Sequence, residues 1–168
     1  SACLVGSEMC IRDRLTVVGQ CLGAGEKEQA VWYARRLLLV AYCGAWVMNL
    51  SGFFFADRWA LSWFNLSPEA SAMALEVMMW FNIVSLFFWP SSFTLPNILR
   101  SAGDASFTMA VSIVSMWAFR VGFCYLWVLR MGGGLLSIWM GMYLDWVFRS
   151  LCFAVRFVRG RWLEKTVI

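Results

Sequence analysis

The sequence contains no histidine, only three prolines and few charged residues, and each shortage excludes some functions. Without histidine the chain lacks the commonest general base and the commonest metal ligand, so we expect no catalytic residue, no metal site and no cofactor. Charged residues make up 14% of the chain, against about 25% in soluble domains. No basic block with interleaved aromatic residues occurs, which argues against a nucleic-acid partner.

The six cysteines form no Cys-x-x-Cys pair, and we expect them to behave as buried, small apolar residues. The chain is instead rich in apolar residues: hydrophobic residues make up 61% of it and aromatic residues 17%. An average soluble domain is about 45–50% apolar. The composition therefore predicts an all-α, polytopic transmembrane helix bundle whose main partner is the lipid bilayer.

Four apolar runs are long enough to be membrane helices, because about 20 residues at about 1.5 Å each span the hydrocarbon core. We place them at about 37–55, 70–99, 107–129 and 135–155. A fifth helix ends in the glycine turn at Gly23 and Gly25, which would supply the C-cap. Ser67-Pro68-Glu69 predicts the start of the second span. Residues 57–63, with Trp59 and Trp63, predict an interfacial loop.

Positive charges predict how these helices are oriented. The first, third and fifth flanks carry eight lysines and arginines, whereas the opposite flanks carry only Arg58 and Arg130. Because cytoplasmic loops carry the excess of Lys and Arg, we expect both ends of the chain to be cytoplasmic. The eight residues are Lys27, Arg35, Arg36, Arg100, Arg156, Arg159, Arg161 and Lys165.

The second span contains two prolines, Pro90 and Pro96, which are expected to bend or interrupt it. A broken helix at membrane depth needs new partners for its freed carbonyls and often lines a transport pathway. For each hydroxyl, bonding to its own helix or a neighbouring helix is the alternative. The pathway-lining candidates are Asn82, Ser85, Pro90, Ser91, Ser92, Thr94, Pro96 and Asn97.

Three charged residues lie within predicted spans: Arg120, Asp145 and Arg149. Such charges cost about 2.5–3.5 kcal/mol each on insertion scales and are therefore functional candidates. Asp145 and Arg149 share a helix face, and Arg120 lies at a similar depth on the antiparallel neighbour. We predict a buried cluster of all three, acting either as a structural ion network or through protonation of Asp145.

The first fourteen residues do not match the rest of the chain. Residues 4–13 read as the translation of a transposase sequencing adapter, so we treat residues 1–14 as a non-native segment. We expect the natural protein to continue upstream of Leu15. The chain would then be a fragment, with a partial transporter lobe at 15–162 and a cytoplasmic tail at 163–168.

Several motifs in this order resemble the multidrug and toxic compound extrusion (MATE) transporter family. Two of them are turns: Val18-Gly19-Gln20 with Leu22-Gly23-Ala24-Gly25, and Leu95-Pro96-Asn97 with Leu99-Arg100 and Ala102-Gly103-Asp104. The other two lie in the last two helices: Ser115-Met116-Trp117 with Arg120-Val121, and Asp145-Trp146 with Arg149.

The resemblance implies part of a twelve-helix, two-lobe antiporter that couples export of lipophilic cationic compounds to entry of H⁺ or Na⁺. Its partners would be a small-molecule substrate and the missing N-terminal lobe, and its location the cell (inner or plasma) membrane. Many members carry an acidic cation-site residue in the helix that corresponds to Trp80–Trp89, where this sequence has none. That departure argues against a sodium site in this lobe.

The sequence leaves two other functional hypotheses open. One is a flippase for lipid-linked saccharides from the same superfamily, which a strongly basic central cavity would favour. The other is a membrane anchor or assembly subunit without transport activity, which has little need of a helix containing two prolines. A membrane-embedded enzyme is the weakest alternative, because the spans contain no paired acids.

Overall fold

The structure, a computed structural model, describes residues 16–64, 67–132 and 135–164, and all regular secondary structure in these ranges is helical. Residues 16–23 form α1. The helices that follow are α2 (Lys27–Phe64), α3 (Pro68–Ser101), α4 (Ala105–Ser115), a π-helical segment (Met116–Phe123), α5 (Cys124–Met131), α6 (Leu135–Val158) and a 3₁₀ turn (Arg161–Glu164). The all-α fold class is confirmed. The proposed adapter segment, Gly133, Gly134 and residues 165–168 lie outside the described residues.

Four stretches in the described part of the chain are long and apolar enough to cross a membrane. They are Lys27–Phe55, Pro68–Ser101, Ala105–Trp127 and Ile138–Val158. Many large apolar side chains on them are exposed, including Phe54 and Leu129. Exposed apolar surface of this extent is rare on soluble monomers but suits contact with lipid. The chain is a multi-pass membrane protein.

α3 is the central helix, packed between α2 and α6 and also touching α4. Its start follows from the sequence, because Pro68 occupies the first turn and the backbone N–H of Ala70 donates to Ser67 Oγ at 3.4 Å. The helix then runs for 34 residues, longer than the predicted 70–99. α2 likewise extends beyond the predicted 37–55, and residues 57–63 are helical rather than an interfacial loop.

The two prolines do not interrupt α3, contrary to the broken helix that the sequence predicted. Pro90 cannot donate to the carbonyl of Leu86, four residues earlier. That oxygen instead accepts a hydrogen bond from Trp46 Nε1 at 3.2 Å, and Tyr42 Oη donates to the next carbonyl, Phe87, at 2.9 Å. Side chains of α2 thus satisfy polar groups of α3 that lipid could not, which keeps the helix continuous.

Two glycine turns have the same backbone pattern. Gly25 (φ +80°) follows α1 and Gly103 (φ +83°) follows α3, and after each glycine the next backbone N–H donates to the carbonyl five residues earlier at 2.9 Å. Positive φ at these sites is the conformation that glycine adopts at helix C-termini. Gly23, which the sequence also assigned to the cap, is helical.

The buried apolar core gathers at the end of the bundle that carries these two turns. Gly19 lies so close to the end of α3 that a Cβ there would be 2.9 Å from the Ser101 carbonyl oxygen. Close packing at this point ties α1 to α3. The core residues are Val18, Ala30, Ala34, Leu37, Leu95, Ile98, Leu99, Ala102, Phe153 and Trp162.

Candidate functional site

Asp145 is the centre of the candidate site, with only 1% of its side chain exposed. Its Oδ2 atom lies 3.2 Å from Nε of Arg120 and 3.9 Å from Nη1 of Arg149. Arg149 is one turn along the same helix, whereas Arg120 comes from the π-helical segment. The structure therefore brings together all three charged side chains that the sequence placed in one cluster. Their role stays a prediction.

The π-helical segment packs directly on α6 beside the cluster. Gly141 makes this approach possible, since a Cβ there would lie 2.9 Å from the Phe119 carbonyl oxygen and collide with Cys124 Sγ. π-helical turns are uncommon and occur frequently at functional sites. The widened turn contains Arg120, whose side chain is 43% exposed. The sequence predicted a regular helix here and missed this irregularity.

Arg149 is held by aromatic rings as well as by Asp145. Its guanidinium carbon lies 5.3 Å from the ring centre of Phe93 and 6.0 Å from that of Phe153, within the range of cation–π attraction. Its Nε is buried without a hydrogen-bond partner among the described residues. The polarity of the guanidinium is thus only partly satisfied, although the group is largely enclosed.

A cavity of about 360 Å³ opens beside the cluster. Arg120 contributes to its wall, so the same side chain belongs to both the ion cluster and the cavity. Cys124 Sγ donates to the Ile138 carbonyl at 3.6 Å across two of the lining elements. The described residues that line it are Arg120, Cys124, Ile138, Trp139 and Met142.

Aromatic contacts fix α6 against α3 around the cluster. The Phe81 ring centre lies 5.7 Å from that of Trp146 and 5.9 Å from that of Trp139, both in edge-on geometry. Tyr143 Oη also donates to the Val77 carbonyl at 3.4 Å. Edge-on aromatic pairs add stability beyond that of the apolar area they bury. Because these contacts hold α6 against α3, they also fix the position of Asp145 on α6.

The predicted pathway-lining residues of α3 mostly lie inside the packed bundle. Asn82 donates to its own helix, at the Met78 carbonyl (2.8 Å), and Ser91 donates to the Phe88 carbonyl (3.1 Å) while sharing a second bond with Ser150 of α6. These are bonds to the residue's own or a neighbouring helix, the alternative weighed for such hydroxyls. Ser85, Pro90, Ser92 and Pro96 are buried, Thr94 is half-buried and Asn97 is exposed.

Sequence reasoning missed a second ion pair, between Asp104 and Arg156. Asp104 is fully buried after the Gly103 turn, and Arg156 Nε donates to its Oδ2 at 2.7 Å. The guanidinium of Arg156 also lies 4.7 Å from the Phe107 ring centre. The two residues are 52 positions apart in the chain, so their spacing does not predict the pair. The signal that could have indicated it is an acidic residue in a glycine turn on the side of the membrane that is rich in arginine.

Comparison with known proteins decides the family. The family model named MatE matches residues 14–126, two thirds of the chain. The chain belongs to the MatE family. The resemblance that the sequence motifs indicated is thereby confirmed. Arg120 lies within the matched segment of the MatE family model, whereas Asp145 and Arg149 lie beyond it.

Two relatives place the chain among transporters. It is 26% identical over 156 residues to the "Probable multidrug resistance protein NorM" of Thermotoga maritima, an alignment covering 91% of this chain and 32% of that protein. It is 33% identical over 69 residues to the "Uncharacterized transporter YisQ" of Bacillus subtilis, covering 41% of this chain and 15% of that protein. The chain thus spans about a third or less of these relatives. No solved structure matches it.

Proposed function

We propose that this chain is part of one lobe of a secondary active antiporter that exports lipophilic cationic compounds in exchange for H⁺ or Na⁺. The observation that carries the proposal is the MatE match over residues 14–126, together with the transporter names of both relatives. The four apolar helices supply a membrane-spanning body of the kind such an antiporter needs. The other lobe of the same protein and a small-molecule substrate are the partners that this function requires.

We place the protein in the inner or plasma membrane of the cell. In the proposed orientation both ends of the chain lie in the cytoplasm. Its support is the distribution of lysine and arginine, which favours the side that carries the Gly25 and Gly103 turns. Arg100 and the Asp104–Arg156 pair would then lie at the cytoplasmic end of the bundle. Arg130, at the end of α5, would lie at the opposite surface.

Within this transporter, we assign the Arg120–Asp145–Arg149 cluster a structural role first. The carboxylate holds the π-helical segment against α6, and two arginines flank it at salt-bridge distance. The competing hypothesis is that Asp145 takes up and releases a proton during transport. The groups that face it are Arg120 from the π-helical segment and Arg149 from its own helix.

Export of ethidium from cells that express the full-length protein tests the proposed function. We expect export to stop when the proton or sodium gradient, whichever is coupled, is collapsed. Export that continues without either gradient, or no export at matched expression, would contradict the antiporter.

The Asp145→Asn variant separates the two roles of the cluster. Glu76→Gln, the same chemical change at an exposed position of α3, is the matched control. A protonation role requires that Asp145→Asn abolish export while the protein still folds and reaches the membrane. A structural role predicts reduced folding yield and stability, with residual export by the molecules that do fold. Undiminished expression with undiminished export rejects both.

A further inference from the structure

The ion cluster carries more positive than negative charge. Arg120 and Arg149 face the single carboxylate of Asp145, which leaves a net charge of +1. No second carboxylate lies within salt-bridge distance of either arginine in the part of the chain that the structure describes. An uncompensated charge in a membrane span costs about 2.5–3.5 kcal/mol on insertion scales. The cluster therefore favours an additional anion.

The excess charge is accessible through the cavity. Arg120 is the member of the cluster that lines it, and 43% of its side chain is exposed, compared with 15% for Arg149. The other lining residues include Ile138, Trp139 and Met142, which are apolar. The volume of about 360 Å³ falls within the range of small-molecule sites, about 300–1,000 Å³. Among the described residues that line the cavity, Arg120 is the charged one, and its guanidinium defines the polar chemistry of the site.

We propose that this cavity binds an amphiphilic anion, with a phosphate or carboxylate group at Arg120 and an apolar chain against Ile138, Trp139 and Met142. A guanidinium presents its donors in a planar fork that matches both oxyanions. Such a ligand would neutralise the cluster and fill the apolar part of the cavity. The ligand is a membrane phospholipid or a soluble amphiphile with the same head-group chemistry. This site differs in charge from one for cationic cargo and does not depend on the proposed antiport.

Cys124 provides a reporter inside the cavity. All other cysteines of the chain are replaced by alanine, and the protein is placed in nanodiscs of phosphatidylcholine. The rate at which N-ethylmaleimide labels Cys124 is then measured with submicellar dodecyl phosphate or dodecyltrimethylammonium, and in nanodiscs that contain phosphatidylglycerol. A second chain that retains only Cys43, an exposed residue of α2, controls for effects on the reagent.

We expect an anionic amphiphile, but not the cationic one, to slow labelling of Cys124 several-fold and to leave Cys43 unaffected. Slowing by phosphatidylglycerol identifies a lipid as the ligand, whereas slowing by dodecyl phosphate alone identifies a soluble amphiphile. Equal slowing by the cationic amphiphile, or no slowing by either anion, would overturn the proposal.

Two variants test the role of Arg120. Arg120→Gln should abolish the protection, whereas Arg130→Gln, the same change at an exposed site on α5, should retain it. Circular dichroism checks that Arg120→Gln is folded. If it is not, Met142→Trp keeps the charge but fills the cavity and should abolish protection as well. Protection that survives in a folded Arg120→Gln chain, or in Met142→Trp, contradicts the site.

Discussion

Two buried carboxylates in the described part of the chain, Asp104 and Asp145, differ in how closely arginine side chains approach them. Asp104 is fully buried and accepts a short hydrogen bond from Arg156 Nε at 2.7 Å. Asp145 is 1% exposed and faces two arginines at the longer distances of 3.2 and 3.9 Å. Both sites join α6 to the helical segments that precede it in the chain, and at the Asp145 site two arginines approach the same carboxylate oxygen.

This difference indicates different roles. A short ion pair beside the tight Gly103 turn fixes the end of α6 to the start of α4, at the end of the bundle where the apolar core gathers. The Asp145 cluster lies beside an irregular helical segment and a cavity. Removing one partner of a buried pair usually costs more than replacing both. Replacing Asp104 and Arg156 together should therefore cost less stability than replacing Arg156 alone.

The largest effect should come from Asp145→Leu. Loss of the carboxylate leaves Arg120 and Arg149 facing each other, and breaking a buried ion pair costs about 3–5 kcal/mol. The free energy of unfolding, measured by titration with sodium dodecyl sulfate and far-UV circular dichroism, should fall by that amount. Glu76→Leu, at an exposed site, should change it by less than about 0.5 kcal/mol. An equal loss in the two variants would mean that the cluster contributes no stability.

A somewhat smaller loss, about 3 kcal/mol, is expected for Arg156→Met, because the Arg156 side chain is partly exposed to begin with. The double variant Asp104→Asn with Arg156→Met should recover most of that loss in the same titration. The corresponding Asp145→Leu with Arg149→Met should recover less, since Arg120 remains charged. Similar recovery at both sites would remove the distinction between them.

Trp46→Phe should have the smallest effect, since it removes a neutral hydrogen bond to the Leu86 carbonyl. Interhelical hydrogen bonds in membrane proteins contribute about 0.6 kcal/mol on average. In a Pro90→Ala background the restored backbone N–H can serve that carbonyl, so Trp46→Phe should then cost less. A cost that is unchanged by Pro90→Ala would show that Trp46 acts through packing rather than through this bond.

Local features of the sequence were sufficient to predict much of the fold. Apolar run length located the four spans, and Ser67 with Pro68 located the start of α3. The i, i+4 spacing of Asp145 and Arg149, together with the depth of Arg120, was enough to anticipate the ion cluster. These predictions succeed because helix rise and helical periodicity are nearly constant, so spacing along the chain converts directly into position along a helix.

Other features depended on contacts that spacing does not encode. At Pro90 the donor that proline lacks is supplied by Trp46, and Tyr42 donates to the next carbonyl; both residues lie more than 40 positions before Pro90 in the chain. The π-helical segment depends on the close approach of α6 at Gly141. Neither helix propensity nor periodicity carries information about which neighbouring side chain reaches a freed carbonyl.

By itself the sequence determined that the chain is an all-α membrane protein with four long apolar helices, and which three charges meet within them. Only the tertiary structure decided that Asp104 pairs with Arg156, that the prolines leave α3 continuous, and that Arg120 opens onto a cavity. The physical reason is that burial in lipid and helix formation are local properties of a segment. The satisfaction of a buried charge or carbonyl instead depends on which helices pack together.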